Sequence, residues 1–498
     1  MTGRVLTARG PAWKGLDRRT AALGVAIAVA SVALGAFAAL AVPDDFNGKG
    51  SLIGAFVACA FAALGPIVIL GRGAAREPIA YYPVIAFPDL AGSALAWLGE
   101  PESAISLVRA DFTKALLLVA AGFIALWVGF FATRGRRANV PRGSVSASEL
   151  PSRRVTLALA IVGASALLLL VATGSFGFLR DFDTGGPLGP WTEWVVAAQT
   201  GLDLAVAFAA FRAFGPSDRA RARPDMIILV CLLILQFGGG LLHGSKVTFI
   251  LPRLLVVVFI YAQFHVRPPV KWVIAFIVIV LITFPIVEQF RVLSSLPGAE
   301  REAGALVLGG VGETVQDIDQ SAALTFDKLN RRTRQIENVA VVVRDTPAVF
   351  PHTGGSALPE AVALALIPRV VWPDKPVLDA ATTFPQLYLK QVTGSRSGTG
   401  PSHFGDLYRN FGLLGVLLGM GIFGAVFAAL GRLTLHGGLR TLLVVAFTLT
   451  VLTRHQDSLA EGTVAFAHIM APVFAAALLL PRSRRGQTMR ASLDGGVR

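Results

Sequence analysis

Gly400-Pro401-Ser402-His403-Phe404-Gly405-Asp406-Leu407-Tyr408-Arg409-Asn410-Phe411-Gly412 closes the one long polar interruption, roughly residues 287–410, in a chain that otherwise reads as apolar runs. The chain is 54% hydrophobic and only 15% charged over 498 residues, with a mean hydropathy of +0.64. That is too little charge to cover the surface of a soluble protein of this length. Apolar runs near 20 residues match the hydrocarbon thickness of a bilayer. A transporter or channel keeps most of its mass in the membrane, whereas a polytopic protein with one large loop usually does chemistry at that membrane face. The stretch that closes the loop therefore carries the first functional candidates.

Outward from that stretch, hydropathy predicts spans near 21–42, 51–71, 79–98, 113–132, 155–174, 193–213, 225–242, 247–264, 270–287, 411–430, 438–454 and 463–480. The fold class expected is an all-α polytopic membrane protein of about twelve transmembrane helices. Residues 1–286 hold spans one to nine. Residues 287–410 form a large extracytoplasmic loop with amphipathic helices, and residues 411–498 hold three more spans and a basic tail. The net charge of +14 sits in short segments between spans, such as Arg134–Arg137, Arg219–Arg223 and Arg482–Arg485. This is the positive-inside pattern and not a nucleic-acid groove. It sets both termini in the cytoplasm and the large loop outside. Cys59 and Cys231 lie in apolar runs and suggest packing rather than a disulfide.

The loop carries patterns of its own. Phe326, Leu329, Thr333, Ile336, Ala340 and Val343 recur at spacings of three and four, one face of a helix resting on the bundle. Arg331 and Arg334 fall on the polar stripe. Leu358–Ile367 reads as a short apolar helix opened by Pro359, and Pro368, Pro373 and Pro376 then impose a rigid turn with Trp372 at headgroup level.

Outward-facing cations stand out because the charge bias should deplete them. Lys246 opens the eighth span, and Arg253 follows seven residues later on nearly the same helix face. Arg253 then lies roughly 10 Å below the surface at 1.5 Å per residue, where it needs a partner, with Asp203 and Glu288 the candidates for a structural pair. Arg369, Arg409, Arg454 and His455 add to the cluster. Such cations suit a phosphate or diphosphate. His403 is the best candidate base, since an imidazole can take a proton from a sugar hydroxyl at neutral pH. Asp406, at i,i+3, is within reach to orient it. Glu313, Asp317 and Asp319 fit no defined metal spacing, so neither a metal nor another cofactor is expected.

Gly244-Ser245-Lys246, the loop segments Ile367-Pro368-Arg369 and Trp372–Pro376, and the histidine turn running into Phe411-Gly412-Leu413-Leu414-Gly415 together resemble the bacterial O-antigen polymerase and ligase superfamily. Its Wzy-type members polymerise oligosaccharide repeat units. The resemblance implies a GT-C-like glycosyltransferase of the bacterial cytoplasmic membrane that uses undecaprenyl-diphosphate-linked oligosaccharide and inverts the anomeric centre. Flippase and chain-length regulator proteins are the partners it implies, with no nucleic acid. Lys246 stands where the family usually has an arginine that holds the diphosphate. Phe404 stands where ligases have an asparagine after the histidine. A flippase for lipid-linked glycans is the competing class; it should show paired halves and broken helices near the membrane midplane.

Overall fold

The computed structural model describes residues 49–97, 109–134, 150–173, 175, 191–215, 219–243, 246–264, 335–367, 371–372, 380–389, 400–436 and 438–480. Among them every regular element is a helix. The helices are α1 (Lys49–Leu70), α2 (Tyr81–Trp97), α3 (Arg109–Thr133), α4 (Arg153–Ala172), α5 (Thr192–Phe214), α6 (Arg219–His243) and α7 (Lys246–Phe264). They continue as α8 (Gln335–Asp345), α9 (Ala357–Leu366), α10 (Ala380–Tyr388), α11 (Ser402–His436), α12 (Leu439–Leu452) and α13 (Leu459–Leu479). Seven of them, α1, α3, α4, α5, α6, α11 and α13, are long and apolar enough to cross a membrane. The expected spans at 21–42 and 270–287 lie outside the described residues. The third, eighth and eleventh expected spans correspond to α2, α7 and α12, which are not among those seven. The faces that these helices leave uncovered are apolar, as at Ile161 and Leu168 on α4 and Ile227 and Ile234 on α6. Such a surface is stable against lipid and not against water. Over its described residues the chain is an all-helical membrane protein.

The core is organised by α3 lying along α11. Phe112, Phe123, Trp127 and Phe130 of α3 are buried there with Phe404, Val416, Met420 and Phe427 of α11. Gly424 leaves no room for a Cβ against the Leu126 carbonyl, so the two backbones touch. Small residues allow this close approach, which supplies the dispersion contact that holds helices together in lipid.

The decisive feature lies inside α11. Gly412 has φ 66° and ψ −158°, a conformation open to glycine alone. There the helix folds back on itself. The Leu407 side chain lies against Gly419, and the His403 and Phe423 ring centroids are 5.1 Å apart although 20 positions separate them. A straight helix would hold those residues about 30 Å apart. Residues 402–411 and 413–436 are therefore two antiparallel arms joined at Gly412. The second arm is long enough to cross a bilayer, at about 36 Å. The first runs only part of the way along it.

This corrects the sequence-based picture in two places. The tenth span does begin close to residue 411, with the second arm starting at residue 413, but no surface turn precedes it: Ser402, His403, Phe404 and Asp406 are already inside the bundle, each at most 3% exposed. Nor does the helix predicted near residues 326–343 rest on the bundle. Its described part, α8, has Gln335, Ile336, Asn338, Val339, Ala340 and Val342 buried against α2, α3 and α11. The pattern found its apolar face but could not reveal that Gln335 and Asn338 are buried as well. α9 matches the predicted short helix within a residue at each end and packs on α13.

Candidate functional site

A helix that starts inside a bundle leaves its first N–H groups without partners, and lipid offers none. The first arm of α11 solves this with the turn between α12 and α13. The backbone N–H of His403 donates to the His455 carbonyl at 2.9 Å, and that of Ser402 to the Gln456 carbonyl at 3.4 Å. Ser402 takes a positive φ of 66° to fit, and its hydroxyl accepts from Gly405 N. Just before it, Gln335 and Asn338 of α8 both donate to the Gly400 carbonyl, at 2.7 and 3.0 Å. At the other end of the arm, Thr353 N and Gly354 N donate to the carbonyls of Arg409 and Asn410.

His403 is seated by this frame. Its ring lies parallel to Tyr82, 5.9 Å between centroids and 4° between planes, and also meets Phe423. The Tyr82 hydroxyl is 3.2 Å from Nδ1. With Nδ1–H donating to Tyr82, Nε2 is the basic nitrogen, and among the described residues Nε2 has no hydrogen-bond partner. Counting along the second arm from Gly412 to Phe423 puts the ring about 16 Å from the fold-back, close to half-way along that arm.

Asp406 does not orient His403. One carboxylate oxygen accepts from Arg409 Nη2 at 2.7 Å and the other from Leu459 N, the first residue of α13, at 2.8 Å. It is a buried cap at a helix N-terminus, where negative charge is favoured. The side chain that meets a ring nitrogen of His403 is Tyr82 and not Asp406. His455 is likewise no outward cation: Nε2 lies 2.8 Å from Asp89 Oδ2, and Gln456 Nε2 donates to the same oxygen. In the same turn Arg454 lies 3.7 Å from Asp457, and burial pushes the Asp457 carboxyl above the usual range while Arg454 and His455 partly offset that.

Arg253 has the structural partner expected as one alternative. It grips Asp203 through Nε at 2.7 Å and Nη2 at 3.1 Å, and Gln236 Nε2 donates to the same carboxylate at 2.7 Å. Arg253 and Arg409 thus each face a carboxylate. Lys246 opens α7, with its side chain outside the described residues; Arg331, Arg334 and Arg369 lie wholly outside them. Tyr82 and Asp89 were missed by sequence reasoning. Asp89 did leave a signal, being a carboxylate inside an apolar run, which marks a functional site by default. Tyr82 left none, because only the fold-back brings it to His403.

A bundle with part-length helices ending at buried histidines and carboxylates defines a class: a helical membrane protein with an internal polar site. The model of one family, a domain of unknown function (DUF8712), matches residues 199–449, half of the chain. The chain belongs to that family. None of the curated proteins and none of the solved structures matches it.

Proposed function

We propose that the protein is a membrane glycosyltransferase that polymerises undecaprenyl-diphosphate-linked oligosaccharide repeat units in the bacterial cytoplasmic membrane, for cell-surface polysaccharide. The resemblance of Gly244–Lys246, Ile367–Pro376 and the His403 turn to the Wzy-type polymerases supports the reading. So does the arrangement that hydropathy and loop charge predict, about twelve spans with both termini in the cytoplasm and a long polar stretch between the ninth and tenth. The observation that carries it is His403 itself: an imidazole anchored at Nδ1 by Tyr82, with Nε2 unpartnered among the described residues. A general base needs that arrangement, one nitrogen held and the other available.

In this mechanism a hydroxyl of the acceptor sugar attacks the anomeric carbon of the donor glycan. The bond from that carbon to the diphosphate oxygen breaks, and undecaprenyl diphosphate leaves with the electron pair. The hydroxyl proton passes to His403 Nε2. Attack opposite the leaving group inverts the centre. Lys246, Arg331, Arg334 and Arg369 hold the diphosphate, where fixed cations favour the transition state as charge builds. Arg253 and Arg409, each committed to a carboxylate, position helices in this scheme. The test is purified protein with an undecaprenyl-diphosphate-linked oligosaccharide, read as glycan ladders and released lipid diphosphate. Ladders from the wild type and none from His403→Ala are expected; normal ladders from His403→Ala reject the site.

One observation favours a second reading, a flippase for lipid-linked glycans. The first arm of α11 starts about half-way across the bundle beside buried carboxylates, as broken helices do in transporters. Lipid translocation in vesicles, with no polymer from any lipid-linked donor, is the result that would select it.

A further inference from the structure

We infer that Asp89 is a positioning residue for His403, acting through the turn at residues 453–458. The inference rests on the reading of His403 as the base, and it adds a residue to which neither the family match nor the resemblance assigns a role.

The geometry is a clamp with two jaws. Asp89 Oδ2 takes hydrogen bonds from the side chains of two consecutive turn residues, His455 and Gln456, 366 and 367 positions away. The carbonyls of the same two residues take the backbone N–H groups of His403 and Ser402. Each turn residue is thus held by α2 through its side chain and holds the α11 arm through its backbone. The fit is tight: a Cβ on Gly400 would collide with the Gln456 carbonyl. Asp89 also lies seven residues after Tyr82 on α2, two turns along the same face. One helix face therefore sets His403 twice, at its ring through Tyr82 and at its backbone through Asp89. Loss of the lower jaw lets the turn and the start of the arm shift together.

Both turn side chains use one oxygen of Asp89, and this gives a sharp discriminant. Asparagine keeps a carbonyl oxygen at that place and loses the charge. Positioning by hydrogen bonds therefore predicts that Asp89→Asn behaves as the wild type, whereas Asp89→Leu does not. The experiment uses the full-length protein in lipid nanodiscs with 15N-labelled histidine, the His403 signals being assigned by their loss in His403→Gln. Asp89→Leu should move the His403 ring nitrogens and lower kcat on the order of 100-fold with KM held, the usual cost of a misplaced catalytic group. Gln456→Ala, which removes one of the two donors and is the milder change for folding, should move the same signals less and in the same direction. The inference is overturned if Asp89→Leu or Gln456→Ala leaves those nitrogens in place, or if Asp89→Asn moves them as far as Asp89→Leu. The two readings fail separately. Expected shifts in a protein that makes no polymer keep the clamp and sink the polymerase; polymer without shifts sinks the clamp alone.

Discussion

Among the described residues, two of the polar centres in this bundle are built on opposite principles. Around Asp203, the contacts run side chain to side chain: Arg253 grips the carboxylate with two nitrogens, and Gln236 adds a third bond. Around His403, the groups are held largely by backbone: carbonyls of the 455–456 turn hold the arm, and Asp406 is committed to a helix N-terminus. In the first centre the two charges are committed to each other. The second fixes a histidine by one ring nitrogen and leaves the other unpartnered among the described residues. A committed pair contributes to which helices associate; a fixed ring with an available nitrogen can do chemistry. The difference teaches that depth in the membrane does not by itself mark a site. What marks it is a polar group that the protein positions without using up.

Mutations should separate the centres. The largest effect belongs to His403→Ala, expected to lower polymer formation roughly 100- to 10,000-fold while the unfolding temperature in detergent stays within a few degrees. A loss of folding as large as the loss of activity would erase the distinction. Arg253→Leu should do the reverse. It leaves the partly buried Asp203 carboxylate without its counter-charge and with Gln236 still donating to it, and should lower stability by up to about 3 kcal/mol in reversible unfolding, while turnover per folded molecule is kept. Adding Asp203→Leu should recover most of that stability, since an apolar pair of similar volume often replaces a buried ion pair at no cost. A kcat that falls with Arg253→Leu and is not restored in the double variant would move Arg253 into the chemistry.

A middle effect is expected at the fold-back. Gly412→Ala forces a side chain into a backbone conformation that costs about 1–3 kcal/mol. It should reduce stability and activity together, because the same bend makes both the bundle and the His403 seat. The smallest effect concerns Asp457. Burial raises its carboxyl in the folded state, so the fold binds that proton more tightly than the unfolded chain does. Stability from this group is greatest below the ordinary carboxylate range and declines as pH rises through the raised value. Asp457→Asn should flatten that decline in a pH series of unfolding temperatures, with no change at acid pH; a steeper decline in the variant contradicts the assignment.

Much of this was legible in the sequence, for reasons that also explain what was not. Membrane helices announce themselves because lipid demands about 20 apolar residues, and α9 announced itself by period and proline. Arg253 was readable as a buried cation that needs a carboxylate, and Asp203 supplies it. His403 stood out as a histidine in a turn before a span. Its depth was hidden, since residues 402–411 read as the end of a surface loop, whereas they are the first arm of a helix. A single glycine turns that helix back, and no periodicity encodes the sign of φ. Tyr82 and Asp89, more than 300 positions away, become neighbours of His403 and His455 only after that turn. Asp406 misled for the same reason: i,i+3 spacing put it near His403, while tertiary packing gave its oxygens to Arg409 and Leu459.

The fold-back is the claim on which both the site and its proposed chemistry depend, and a cross-link tests it directly. In a protein with Cys59 and Cys231 replaced by alanine, Leu407→Cys and Gly419→Cys place two thiols where the Leu407 side chain lies against Gly419. Mild oxidation should join them within one chain, seen as a reducible mobility shift after cleavage between the arms. A continuous helix through Gly412 holds those positions about 18 Å apart, beyond the reach of a disulfide, and absence of the cross-link would contradict the structure of the site.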